Sequence, residues 1–191
     1  MVCAGAVGYA YFFFDGRDGS DLNRHESFIR SLIMQFSAQC DGIPVAVDEI
    51  YSTECRNGLD QPSTASLERA LRLIVDSFDT AYIIVDALDE CDEQRRLLQW
   101  IGSITSQASG QLRLMITSRP EPDIKSSLES LKGLTALSLA DGQVAGDIVQ
   151  YIDSRLSEDS KWADDAKQMI RVALVRGADG MQVSYQLCTV L

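Results

Sequence analysis

The chain has 191 residues, 46% hydrophobic and 24% charged, with 4 Pro and 13 Gly. That length accommodates one ordinary domain burying about 70% of its unfolded surface, and the composition excludes disordered and fibrous classes. With 28 acids against 17 Lys and Arg the net charge is −11, so the overall field repels phosphate backbones and anionic bilayers; neither nucleic acid nor membrane is expected as a partner.

Residues 1–14 carry no charge until the aromatic run YAYFFF (9–14) stops at Asp15-Gly16. The stretch lacks a basic leader and a small-residue cleavage site and is too short to span a bilayer. The run is unalternating, which predicts a strand covered on both faces inside a parallel sheet. Ser20 and Asp21 supply capping oxygens for a helix in which Phe28, Ile29, Leu32, Ile33, Phe36 and Cys40 recur at helical spacing until Asp41-Gly42. Residues 41–62 read as a connection with a short helix around 45–51. After Ser63, the set Leu67, Ala70, Leu71, Ile74, Val75 and Phe78 traces one helical face. AYIIV (81–85), ending at Asp86, and LRLMIT (112–117), ending at Ser118-Arg119-Pro120, predict two strands with a helix over 94–108 between them, a right-handed βαβ crossover. LTALSLA (134–140) predicts another strand, and helices follow around Ile148 to Leu156 and Ala166 to Leu174. No internal repeat is present.

Chemistry in an open α/β sheet belongs beyond the carboxyl ends of the strands. Three acids, Asp86, Asp89 and Glu90, emerge there from one apolar strand. They repel one another unless a cation or proton relieves them, and Mg²⁺ needs only one or two carboxylates when phosphates and waters complete its shell. The bland alternative is a solvated acidic turn capping the next helix. At the end of the following strand Arg119 could clamp a terminal phosphate beside Ser118, or form an ion pair with Asp86 or Asp89. Cys3, Cys40, Cys55, Cys91 and Cys188 form no Cys-x-x-Cys pair and do not cluster with His25, the single histidine. Neither a disulfide framework nor a zinc site is expected, and reduced thiols are. Cys91 has nothing nearby to lower its pKa. His25 reads as a surface residue beside Glu26, and Trp100 and Trp162 as covers for the core edge.

IIVDALDEC (83–91) resembles the Walker B segment of NACHT-type P-loop NTPases, in which a metal-binding Asp is followed by a small residue and an acidic pair. LRLMITSRPEPDI (112–124) resembles the sensor strand that follows in that family. YAYFFFD, the helix HESFIRSLIMQF and GADGM (177–181) resemble NACHT modules of fungal NLR-like, nephrocystin-like proteins. The resemblance implies a three-layer αβα parallel sheet over residues 1–140, followed by a helical extension over 141–191. It implies Mg²⁺ with ATP or ADP as cofactors, Asp86 as metal ligand, Asp89 and Glu90 as the catalytic pair acting on water, and Ser118 and Arg119 as phosphate contacts. It also implies cytoplasmic NLR-like signalling through homo- or hetero-oligomers. The family's phosphate loop, GxxxxGK[ST], is not in the chain, whose first lysine is Lys125. The expectation is therefore a module truncated before or within that loop, lacking the first strand and binding or hydrolysing nucleotide weakly or not at all. One alternative is a non-enzymatic remnant docking on full-length relatives through an exposed sheet edge. A metal-dependent phosphatase is the weaker alternative, because its paired aspartates are separated by one residue, whereas two lie between Asp86 and Asp89.

Overall fold

The computed structural model describes residues 7–16, 23–55, 58–107, 111–119, 121–131, 133–136, 143–158 and 162–179. In chain order these form β1 (Val7–Phe13), α1 (His25–Ser37), α2 (Val45–Thr53), α3 (Thr64–Val75), β2 (Thr80–Asp86), a 3₁₀ turn (Leu88–Glu90), α4 (Gln94–Gln107), β3 (Leu112–Ile116), α5 (Pro122–Glu129), α6 (Gln143–Glu158) and α7 (Asp164–Asp179). The three strands make one parallel sheet in the order β1-β2-β3. No described helix is long and apolar enough to cross a membrane.

Helix α3 forms where its periodicity places it. The Ser63 side chain accepts a hydrogen bond from the Ser66 amide at its start, and Leu67, Ala70, Leu71, Ile74 and Val75 are buried. Burying each large aliphatic side chain contributes roughly 1.5–3 kcal/mol. Helix α1 starts differently from expectation: its N-cap residue is Arg24, which makes no side-chain cap bond, and Ser20 and Asp21 lie outside the described residues. Its first amide, that of His25, donates instead to Glu93 Oε2 at 3.0 Å, so the cap comes from the segment leading into α4. Helix α5 was not expected, although Pro122 at its first turn and Ile124 and Leu128 on one face follow the ordinary rules. In the stretch expected as a further strand, residues 134–136 are not in a strand, and 137–140 lie outside the described residues.

The sheet corrects the reading of YAYFFF. Ala10 and Phe14 are buried, whereas Val7, Tyr9, Tyr11 and Phe13 are exposed. Register places Tyr9 beside Tyr82 and Tyr11 beside Ile84, and Tyr82, Ile84 and Met115 are exposed as well. The sheet and α1 to α5 thus form two layers, helices on one sheet face, and not the three expected. Strand composition says that a segment is apolar, not whether both faces have partners. On the covered face Phe28 meets Phe12, Phe14 and Trp100, the last edge-on with ring centroids 5.2 Å apart. Gly8 is a tight fit, since a Cβ there would lie 2.8 Å from the Phe78 ring. Trp100 covers the core as expected, but Trp162 is exposed. Helices α6 and α7 pack on each other, tied by the Arg171 guanidinium on both carboxylate oxygens of Asp153 at 2.5 and 3.0 Å.

Two further expectations fail. His25 is fully buried, not on the surface. Cys40 is disulfide-bonded, while Cys55 and Cys91 are free thiols. Both outcomes are set by tertiary proximity, which spacing along the chain does not encode.

Candidate functional site

The carboxyl ends of the three parallel strands bring the acidic segment and the Arg119 segment side by side. Asp86 closes β2; Ala87 then adopts a left-handed conformation (φ 53°) that turns the chain into the 3₁₀ turn carrying Asp89 and Glu90. The turn is held by β3: Thr117 accepts the Ala87 amide at its hydroxyl (2.9 Å) and the Leu88 amide at its carbonyl (3.0 Å). The Thr117 hydroxyl in turn donates to Asp86 Oδ1. Thr117 and Ser118 are buried, and the Ser118 hydroxyl donates to the Arg119 carbonyl at 2.9 Å.

Asp89, Glu90 and Arg119 meet, although not as an open site. The Asp89 side chain is only 6% exposed; its Oδ1 accepts the Arg119 amide at 2.9 Å and its Oδ2 lies 3.4 Å from Arg119 Nε. Arg119 Nη2 is 4.0 Å from Glu90 Oε1, and Glu90 Oε2 accepts the Gly16 amide at 2.6 Å. The ion pair of Arg119 with Asp89, anticipated as the bland role, is therefore present. Asn23, which sequence reasoning passed over, joins the loop after β1 to this cluster. Its amide accepts from the Asp15 N–H at 3.0 Å and donates to the Asp15 carbonyl at 2.5 Å, and its carbonyl accepts the Asp92 amide. Its only signal in the sequence was an Asn in a loop, a residue type that pairs readily with backbone.

Two groups beneath the cluster respond to burial. His25 lies between Phe28 and Trp100 with Nε2 2.8 Å from Glu68 Oε1 and a buried Nδ1 that has no partner. Burial holds its pKa below the usual imidazole value, against the opposing pull of Glu68. Burial likewise pushes the Cys91 thiol up to about 11, which keeps it protonated and unreactive.

A family model for nephrocystin 3, N-terminal, matches residues 4–119. The chain belongs to the nephrocystin 3 N-terminal family. The match takes in β1 through the Asp86 to Arg119 cluster and ends at Arg119, so α5 to α7 lie beyond it. No curated protein and no solved structure matches the chain.

Whether the residues of this family segment fit Mg²⁺ and a nucleotide is decided by their donors. Asp86 offers one oxygen beyond the one that Thr117 engages; Asp89 and Glu90 are occupied by Arg119 and by the Gly16 amide. Among the described residues there is no group of three or more His, Cys, Asp or Glu able to hold a metal. The chain has no lysine before Lys125 and no glycine-rich loop to cradle phosphates. As they stand, these residues do not fit the Mg·nucleotide group.

Proposed function

We propose that this chain carries the Walker B and sensor strands of a NACHT-type signalling module of the fungal, NLR-like kind, a P-loop-related α/β sheet working in the cytoplasm. One observation carries the reading: Asp86, Asp89, Glu90, Ser118 and Arg119 lie at the carboxyl ends of two adjacent parallel strands, where Asp89 and Glu90 meet Arg119 and Asp86 meets Thr117 across the gap. Family membership through nephrocystin 3, N-terminal, supports it loosely. In such a module Asp86 would be the metal ligand, Asp89 and Glu90 the groups acting on water, and Ser118 and Arg119 the phosphate contacts.

Within this chain the same side chains serve structure, and the platform contributes to signalling by shape and association. Each charge-assisted phosphate contact that a lysine-bearing loop would supply is worth about 1.5–3 kcal/mol, so without one nucleotide affinity falls by orders of magnitude. Titration of fluorescent ATP and ADP with and without Mg²⁺, on the chain and on Asp86→Ala, tests this. We expect no saturation at millimolar concentration. Saturable, Mg²⁺-dependent binding lost in Asp86→Ala would overturn the inactive reading and show that the acids suffice to form a site.

A further inference from the structure

His25 stands where α1, α3 and α4 meet the segment that carries the acids. It is fully buried at the start of α1, against the rings of Phe28 and Trp100. A carboxylate only accepts, so the 2.8 Å contact of Nε2 with Glu68 Oε1 puts the ring hydrogen on Nε2. Nδ1 then holds a bare lone pair, buried and with no hydrogen-bond partner among the described residues. A second proton would go onto Nδ1 and make a buried N–H that nothing accepts. The charged groups facing the ring are Glu68 on α3, Glu93 just before α4 and Arg96 in its first turn. Both glutamates favour that proton; burial, the largest effect, and Arg96 oppose it.

The backbone around the same ring ties two segments together at the acidic site. The His25 amide donates to Glu93 Oε2 (3.0 Å), and the Asp92 amide donates to the Asn23 carbonyl (3.1 Å). Asn23 also grips Asp15 through its side-chain amide, and the Gly16 amide donates to Glu90 Oε2 at 2.6 Å. The far end of α1 is anchored separately. The Tyr11 amide donates to Gln35 Oε1 (3.1 Å) and Gln35 Nε2 to the Tyr11 carbonyl (2.8 Å), while Gln39, in the turn after the helix, repeats the pair on Tyr9 at 3.0 and 2.7 Å.

We propose that His25 is a proton-operated fastener: when its ring is protonated, Asp15, Gly16 and residues 23–25 let go of Glu90, Asp92 and Glu93 while the sheet stays folded. The imidazolium leaves the dry site beside Phe28 and Trp100 for water. Its own amide and the adjoining Asn23 move with it, so the links break together and the Glu90 carboxylate is freed. The rest of α1 holds, because Gln35 and Gln39 keep it on β1 and because Leu32 and Phe36 are buried beneath it. In the released state the ring titrates near its ordinary 6.5, and in the closed state lower. The released state therefore binds more protons, and release grows as pH falls below about 6.5.

Amide hydrogen exchange of the full chain at pH 7.5 and 5.5, read by NMR and corrected for intrinsic rates, tests this without nucleotide or Mg²⁺. Its outcome is thus separate from that of the nucleotide titration. Protection of the Asp15, Gly16, His25 and Asp92 amides should fall together on acidification, by up to about tenfold, the limit for one proton over that interval. At pH 5.5 these amides should exchange faster, and with a weaker urea dependence, than those of Ile83 and Val85 at the centre of the sheet. Glu68→Gln keeps an acceptor on Nε2 and removes a charge that favours the proton, so its fall should be as large or larger. His25→Gln should abolish the fall, and if that variant does not fold, Glu68→Gln against the native chain decides. The proposal is overturned if the four amides keep their protection, if they lose it equally in His25→Gln, or if the fall is smaller in Glu68→Gln. It is overturned equally if they share the protection and urea dependence of Ile83 and Val85, which would make the change global unfolding.

Discussion

Asp89 shows how a residue with the look of a catalytic acid is used as a clamp. Its nearly buried carboxylate holds both the amide and the Nε of Arg119, and removing it orphans a backbone donor at the end of β3. Asp89→Ala should therefore cost about 1–3 kcal/mol, read as a lower urea midpoint; an unchanged midpoint would mean that Arg119 is held by other means. Asp86 and Glu90 are tied as well, to Thr117 and to Gly16. His25 supplies the pH dependence. In the unfolded chain it takes a proton near 6.5, whereas burial lowers its folded value. Between the two values the unfolded state binds more protons, so stability falls as pH drops below about 6.5. The groups that face it are Glu68 on α3, Glu93 just before α4 and Arg96 in its first turn. The melting temperature of the native chain should drop between pH 7.5 and 5.5 by more than that of His25→Gln. Equal drops would locate the sensitivity elsewhere.

At the scale of elements, the pairing of α1 with β1 is the least expected device. Gln35 sits in a helix whose apolar positions alone announced it and Gln39 in the turn that follows, yet their work is done on a strand 24 and 30 residues away. Gln35→Ala or Gln39→Ala should each lower stability by about 1 kcal/mol and open Tyr11 or Tyr9 to edge pairing, visible as increased light scattering on concentration. Scattering equal to the native chain would mean that the edge is protected without them. Helices α3, α4, α6 and α7 and all three strands were legible because their apolar residues repeat at 3.6 or run unbroken between turn residues. Helix α5 was passed over because its eight residues, Pro122–Glu129, carry only two buried apolar positions.

For the whole molecule, the bare sheet face decides behaviour in solution. Tyr9, Tyr11, Phe13, Tyr82 and Ile84 form a contiguous exposed apolar surface, the kind that marks an interaction site. Tyr11→Lys should raise solubility while changing unfolding free energy by no more than about 0.5 kcal/mol, the usual range for surface substitutions. A large stability loss would show that the Tyr11 ring is packed, not bare.

By itself the sequence determined the α/β character, nearly every helix and strand, and the placing of Asp86, Asp89, Glu90, Ser118 and Arg119 at strand ends. These follow from local periodicity and from the apolar runs that stop at them. Only the tertiary structure decided which sheet face is covered, that His25 is buried, that Cys40 is in a disulfide, and that the acids are engaged by Thr117, Arg119 and Gly16. Those outcomes depend on which distant segments meet. The same apolar strand, acid or imidazole is stable in either setting until a neighbour removes its water or supplies its hydrogen bond.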